Sequence, residues 1–348
     1  MLVCNDSDLS VNSKIEIALT SVERGSDKVT DVSMSDPEGF PYKTKLILDQ
    51  IKALPCITGF EPRQIRKMKS DSGYPYDHNR NTGVRKKDFL IPGPHSKLPA
   101  RLYCPRLGGK NKQKIGALVY FHGGGFALGD IDAYDGVAAQ LAEQSGLAVI
   151  SVEYRLAPET PFPGGLLDAQ HAFNWLYANA DKFNIDQKIM AIGGDSAGAN
   201  LATVTCVLNR DQNLPSPAFQ MLIYPCTSGN SSSKSRELLI DAPIIPRRVL
   251  AWMHDLYITK EHANDPRFNV LATADLSRLP PAFIMTAGFD PLRDEGEAYA
   301  NRLRDSGVAV RYSCYTNMFH GFYNFGVFPE SRLAINESAE VLAKVLRY

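Results

Sequence analysis

The chain has 348 residues, 44% of them hydrophobic, and its 38 Lys and Arg are balanced by 38 Asp and Glu, for a formal net charge of zero. That length can bury a large core in one domain plus a smaller decoration, and the balance excludes the basic surplus with which a protein grips nucleic acid or an anionic membrane. No apolar run approaches the ~20 residues needed to cross a bilayer, so no membrane insertion is expected.

In chain order, the first residues (Met1, Leu2, Val3, Cys4, Asn5, Asp6) lack the basic stretch and apolar core of a signal peptide. The expected setting is therefore the cytoplasm, with the six cysteines (Cys4, Cys56, Cys104, Cys206, Cys226 and Cys314) as free thiols. Residues 1–36 are polar and weakly periodic. Leu46, Ile47, Ile51 and Leu54 stand at helical spacing, and 61–68 reads as a second short helix. The stretch 74–83, rich in Tyr, Pro, Asp and Asn, reads as a linker or mobile loop. Residues 1–85 are thus expected to form an extension with cap helices, and 86–348 the main domain.

From Arg85 a regular rhythm begins. Strands are expected at 87–91 and 98–104, as an antiparallel hairpin, then at 115–121, 147–154, 188–192, 219–224, 281–287 and 308–315. Helices at 134–144, 165–179, 197–208 and 293–305 separate them. Such alternation predicts an α/β fold with a mostly parallel central sheet, right-handed crossovers and helices on both faces. The stretch 228–279 interrupts it, polar at 228–235 and then helical at 246–259.

The chemistry is concentrated at the strand ends. His122, Gly123, Gly124 and Gly125 follow one strand, and Gly194, Asp195, Ser196, Ala197 and Gly198 join another to a helix. The first run offers backbone N–H groups unobstructed by side chains. The second places a serine on a strand-to-helix elbow too tight for larger neighbours, at a helix N-terminus whose dipole faces the reaction centre. A serine hydroxyl needs a histidine base and an orienting carboxylate. Downstream, Asp290 leaves the end of one expected strand and His320 follows another. Asp294 and Glu295 are rival acids, but they fit the first turn of the next helix.

His122-Gly-Gly-Gly-Phe126, Tyr154-Arg-Leu-Ala-Pro-Glu159, Gly194-Asp-Ser-Ala-Gly198, Asp290-Pro-Leu-Arg-Asp-Glu295 and His320-Gly-Phe322 together resemble the hormone-sensitive-lipase family of α/β-hydrolases, the bacterial esterase family IV, over residues 86–348. Asp195 in the elbow matches its larger subgroup. The resemblance implies an α/β-hydrolase fold with a helical cap and a carboxylic ester hydrolase acting on small-molecule esters. It implies no metal or organic cofactor. Carried over, Ser196 is the nucleophile, His320 the base and Asp290 its orienting acid, with oxyanion donors among Gly123, Gly124, Gly125 and Ala197. His122 would brace the glycine loop. The longer N-terminal segment is the chief departure from the family.

Phe126, Phe319, Phe322 and Tyr323 flank the catalytic loops, and Trp252 lies on a helix of the second cap segment. As a set they suggest a small aromatic-lined acyl pocket, and the resemblance implies short to medium acyl chains. Glu159 and Asp168 read as loop anchors, and the remaining histidines are scattered without metal-ligand spacing. An amide or carbamate hydrolase uses the same triad. A binding or regulatory protein on the same scaffold, as in the gibberellin receptors that have lost the histidine, and a homo-oligomer also stay open.

Overall fold

The computed structural model describes residues 42–72, 77–93, 95–106, 114–229 and 232–346. Its strands are β1 (Arg85–Ile91), β2 (Leu98–Cys104), β3 (Ile115–Phe121), β4 (Ala148–Val152), β5 (Ile185–Asp195), β6 (Phe219–Ile223), β7 (Ala282–Phe289) and β8 (Val310–Phe319). The α-helices are α1 (Tyr42–Lys52), α2 (Pro62–Ser72), α3 (Asp135–Ser145), α4 (Gly164–Ala178), α5 (Ala197–Asp211), α6 (Lys234–Leu238), α7 (Arg247–Tyr257), α8 (Arg293–Asp305) and α9 (Pro329–Leu346).

All the strands join one sheet in the order β1-β2-β4-β3-β5-β6-β7-β8. The β1–β2 and β2–β4 pairings are antiparallel, and the rest are parallel. Because side chains alternate across a strand, β3 divides its residues between two cores. Ala117, Val119 and Phe121 pack with apolar residues of α4, α5 and α8 on one face. Leu118 and Tyr120 pack with those of α3 and α9 on the other. Every residue of β4 and β6 is buried, as expected for a parallel sheet covered on both sides. This is the α/β-hydrolase fold.

A third, smaller cluster lies beyond the carboxyl ends of the strands. Ile65 of α2 meets Ile245, Val249 and Met253 around α7, together with Leu128, Cys226 and Leu292 from the loops after β3, β6 and β7. Two segments distant in sequence therefore share one apolar seam above the sheet. No helix among the described residues is long and apolar enough to cross a membrane.

Two expectations need adjustment. Residues 1–41 lie outside the described residues, as do 73–76, which include the start of the expected linker. The rest of that linker is docked rather than free. His78 is buried and its Nε2 donates to the Tyr323 carbonyl at 2.8 Å, while Asp77 pairs with Arg80 at 2.8 Å and accepts the Gly136 N–H at 3.3 Å. Its polar groups hydrogen-bond to remote parts of the fold instead of to solvent. Strand β8 also runs beyond the expected 308–315 as far as Phe319, so that His320 leaves the sheet directly.

Burial disfavours the charged form of both His78 and His254, and for His254 the neighbouring Arg236 adds to the effect, lowering it to about 4 from the ordinary 6.5. The unfolded chain then binds a proton that the folded chain refuses, so stability falls as pH drops from about 6.5 towards 4. We expect the urea midpoint of His254→Gln to decline less than that of the parent between pH 7 and pH 4.5. Parallel declines would contradict this.

Candidate active site

Ser196 sits between the last residue of β5 and the first of α5, with φ +52° and ψ −116°. For a non-glycine residue this conformation is strained, by about 1–3 kcal/mol, and must be held by its surroundings. The restraints are on either side. The Ser196 N–H donates to the Ile223 carbonyl at 2.8 Å, and its own carbonyl accepts the Cys226 N–H at 3.3 Å, so the end of β6 grips the turn. A Cβ at Gly194 or Gly198 would collide with the Phe121 carbonyl. Only glycine lets α5 rise so close to the end of β3.

Asp290 follows β7 and His320 follows β8, which brings both to the same edge of the sheet as Ser196. His320 Nδ1 lies 2.7 Å from Asp290 Oδ2 and His320 Nε2 lies 2.9 Å from Ser196 Oγ. Asp290 is fully buried, and its other oxygen accepts the Leu292 N–H at 2.8 Å. The rival acids are engaged elsewhere. Asp294 takes Arg293 at 2.7 Å and the Ser235 N–H. Glu295 takes Arg236 at 2.7 Å and the amides of Thr227 and Ser228. Ser196 and His320 are only 9% and 5% exposed, so charge that develops between them meets little water.

The glycine loop wraps against this centre. Gly124, Gly125 and Phe126 have φ of +113°, +62° and +62° in succession. His122 is buried beneath it, stacked on Tyr154 with ring centroids 4.5 Å apart, its Nδ1 donating to the Gly123 carbonyl at 2.8 Å. A side chain on Gly125 would run into Met253 of α7, so this helix lies directly over the loop.

The grouping of Gly123 with the oxyanion donors is corrected by this geometry. Its N–H donates to Asp195 Oδ1 at 2.9 Å and is committed there. Sequence reasoning missed what Asp195 does. The same oxygen accepts the Tyr120 hydroxyl at 2.9 Å, and Oδ2 accepts those of Tyr134 at 3.2 Å and Tyr224 at 3.4 Å. The four donors match the roughly four lone-pair sites of an ionised carboxylate. Burial pushes the Asp195 carboxyl up, and the Tyr120 hydroxyl and Gly123 amide pull it back. Burial, and then the charge of Asp195, drives the three tyrosine hydroxyls well above their ordinary value. Tyrosines at or near the carboxyl ends of β3 and β6 were the available signal.

The expected aromatic pocket is largely core. Phe319, Phe322 and Tyr323 have no exposed surface. Phe319, the last residue of β8, packs against Phe325 and Phe328, and the short turn after His320 buries Phe322, against Tyr315 and Tyr224, together with Tyr323. Phe126 is turned aside by its positive φ and stacks flat on Tyr257 at 3.9 Å. Trp252 alone of the five keeps partial exposure. Among the described residues, no group of three His, Cys, Asp or Glu side chains is placed to hold a metal ion.

The fold agrees with comparisons to known proteins. A family model described as the alpha/beta hydrolase fold matches residues 118–324. The carboxylic ester hydrolase LipN of Mycobacterium tuberculosis is 41% identical over 244 residues, 68% of this chain and 64% of that protein, so the match leaves about a third of that relative uncovered. The carboxylesterase NlhH of the same organism is 40% identical over 72% of this chain and 79% of its own length. A hyperthermophilic esterase from the archaeon Pyrobaculum calidifontis superposes with a TM-score of 0.81 at 36% identity, covering 87% of this chain and 98% of that one. The chain belongs to this α/β-hydrolase family, in its branch of hormone-sensitive-lipase-like esterases.

Removing the Asp195 carboxylate would strand three tyrosine hydroxyls and the Gly123 amide, each an unsatisfied donor costing about 1–3 kcal/mol. Asp195→Ala is expected to lose ~3 kcal/mol or more, lowering Tm by at least ~4 °C for a domain of this size. Asp195→Asn, which keeps one carbonyl oxygen, should lose less. Thermal unfolding followed by circular dichroism checks the order, and an alanine variant as stable as the parent would refute it.

Proposed function

We propose that this chain hydrolyses small carboxylic esters of short to medium acyl length by two-step acyl transfer. The observation that carries the reading is the continuous line Ser196 Oγ, His320 Nε2, His320 Nδ1, Asp290 Oδ2, closed at 2.9 and 2.7 Å. His320 takes the Ser196 proton as Oγ attacks the ester carbonyl. The hydrogen bond to Asp290 holds the ring with Nδ1 as donor, leaving Nε2 free to accept. The backbone N–H groups of Gly124, Gly125 and Ala197 receive the oxyanion, and one such donor is worth roughly 3–4 kcal/mol in the transition state. His320 then protonates the departing alcohol. Water deprotonated by the same ring attacks the acyl-serine, and release of the acid restores Ser196.

The apolar seam between α2 and α7 supports reading the N-terminal helices and the 228–279 segment as two parts of one cap. Met253 above Gly125 supports a site of limited depth. This favours short acyl chains dissolved in water.

Hydrolysis of 4-nitrophenyl esters from two to sixteen acyl carbons is expected to peak at short chains. Ser196→Ala and His320→Ala should each remove nearly all turnover, and the double variant should be no worse than either alone, because both serve one step. Asp290→Asn should keep its fold and lose most activity. Serine-independent turnover would overturn the nucleophile assignment, and a near-parental rate in Asp290→Asn would overturn that of the acid.

A further inference from the structure

The Tyr154-to-Glu159 segment is not used by the chemistry above, and neither is helix α2, yet one side chain joins both to the glycine loop. Arg66 of α2 donates through Nη1 to the Ala127 carbonyl at 2.7 Å and to the Ala157 carbonyl at 3.3 Å. Its Nη2 pairs with Glu159, whose same oxygen accepts Arg63 Nε at 2.5 Å. The arginine fork thus spans the glycine loop and the segment after β4. These two are already tied by the Ala157 N–H, which donates to the Phe126 carbonyl at 2.9 Å.

The loop needs such restraint. Its left-handed residues, Gly124, Gly125 and Phe126, form a turn that Ala127 and Leu128 close by donating to the Gly124 carbonyl at 3.2 and 2.9 Å. The carbonyl that Arg66 holds belongs to the same peptide unit as the Leu128 N–H, one of the two amides that close this turn. A rotation of that unit would open the turn and redirect the peptide planes of Gly124 and Gly125. Arg66 and Glu159 are 21% and 29% exposed, partly shielded, so their pairing is less screened than that of a fully exposed pair. A guanidinium can hold two carbonyls and a carboxylate at once, which an ammonium cannot do with the same planar fork.

We propose that Arg66 is a positioning residue for turnover: oriented by Glu159, it fixes the Ala127 carbonyl and so keeps the Gly124 and Gly125 N–H groups aimed at the oxyanion. The inference rests on the reading of those amides as donors at the Ser196 centre. It gives the N-terminal helices a part in the chemistry as well as in covering the site. The Tyr154-to-Glu159 segment becomes the anchor that receives them.

The test compares kcat and KM for a short-chain 4-nitrophenyl ester in Arg66→Ala, Arg66→Lys and Glu159→Gln, beside Ser196→Ala. It adds the inhibition constant of a trifluoromethyl ketone, which becomes an oxyanion when it reacts with the serine. Arg66→Ala is expected to lower kcat ~10–100-fold, short of the 10²–10³-fold cost of deleting a donor outright, with KM within ~2-fold. The ketone should weaken in parallel. Arg66→Lys should recover part of the loss, and Glu159→Gln should fall between parent and Arg66→Ala. A folded Arg66→Ala with kcat and ketone affinity within ~2-fold of the parent would overturn the proposal, as would a change confined to KM. Should Arg66→Ala not fold, Glu159→Gln decides by the same criteria. If Ser196→Ala still turns over, the underlying active-site reading fails instead, and the ketone series then separates the two failures by ceasing to track kcat.

Discussion

The architecture turns on one backbone constraint, the elbow at Ser196. A strand that ends at Asp195 and a helix that begins at Ala197 leave a single residue to reverse the chain, and that residue takes a φ of +52°. So sharp a turn sends adjacent side chains in opposite directions. Ser196 meets His320, and Asp195 plunges into a cage of tyrosines on the far side. The closeness of β3 to the base of α5 explains why Gly194 and Gly198 must lack side chains. It also brings the glycine loop after β3 alongside the serine.

Strain at the elbow is sustained by the groups around it. The Ile223 carbonyl and Cys226 amide hold the backbone from β6, and Asp195 binds the start of the glycine loop through Gly123. The buried carboxylate thereby couples the two loops that the proposed oxyanion stabilisation needs in register to within a fraction of an ångström. Above them, α2 and α7 share the apolar seam of Ile65, Val249 and Met253. Excluding water strengthens every hydrogen bond inside the site and leaves Ser196 only 9% exposed.

Much of this was legible in the sequence because it rests on local rules. The 293–305 helix and the 115–121 strand occupy the expected residues, and the succession of strands along the chain followed from the alternation of apolar runs. Ser196, His320 and Asp290 could be paired because each follows a strand in the parallel part of the sheet. What escaped was set by long-range packing. Phe319, Phe322 and Tyr323 lie near the candidate catalytic residues in sequence, yet nothing local reveals that the end of β8 and the turn after it bury them in the core. Gly123 looks like its two neighbours until Asp195, 72 positions away, claims its amide. The polar stretch around Asp77 and His78 resembles a linker because its hydrogen-bond partners, Gly136 and Tyr323, are equally remote.

The central claim is that the serine held in this elbow forms the covalent bond to substrate. Its most direct test is to treat the protein with a fluorophosphonate ester, digest it, and locate the adduct by mass spectrometry. The account predicts one equivalent of label on the peptide containing Ser196, and loss of labelling in His320→Ala because the unassisted hydroxyl is a poor nucleophile. Stoichiometric label on another residue, or labelling of Ser196 at an undiminished rate without His320, would contradict it.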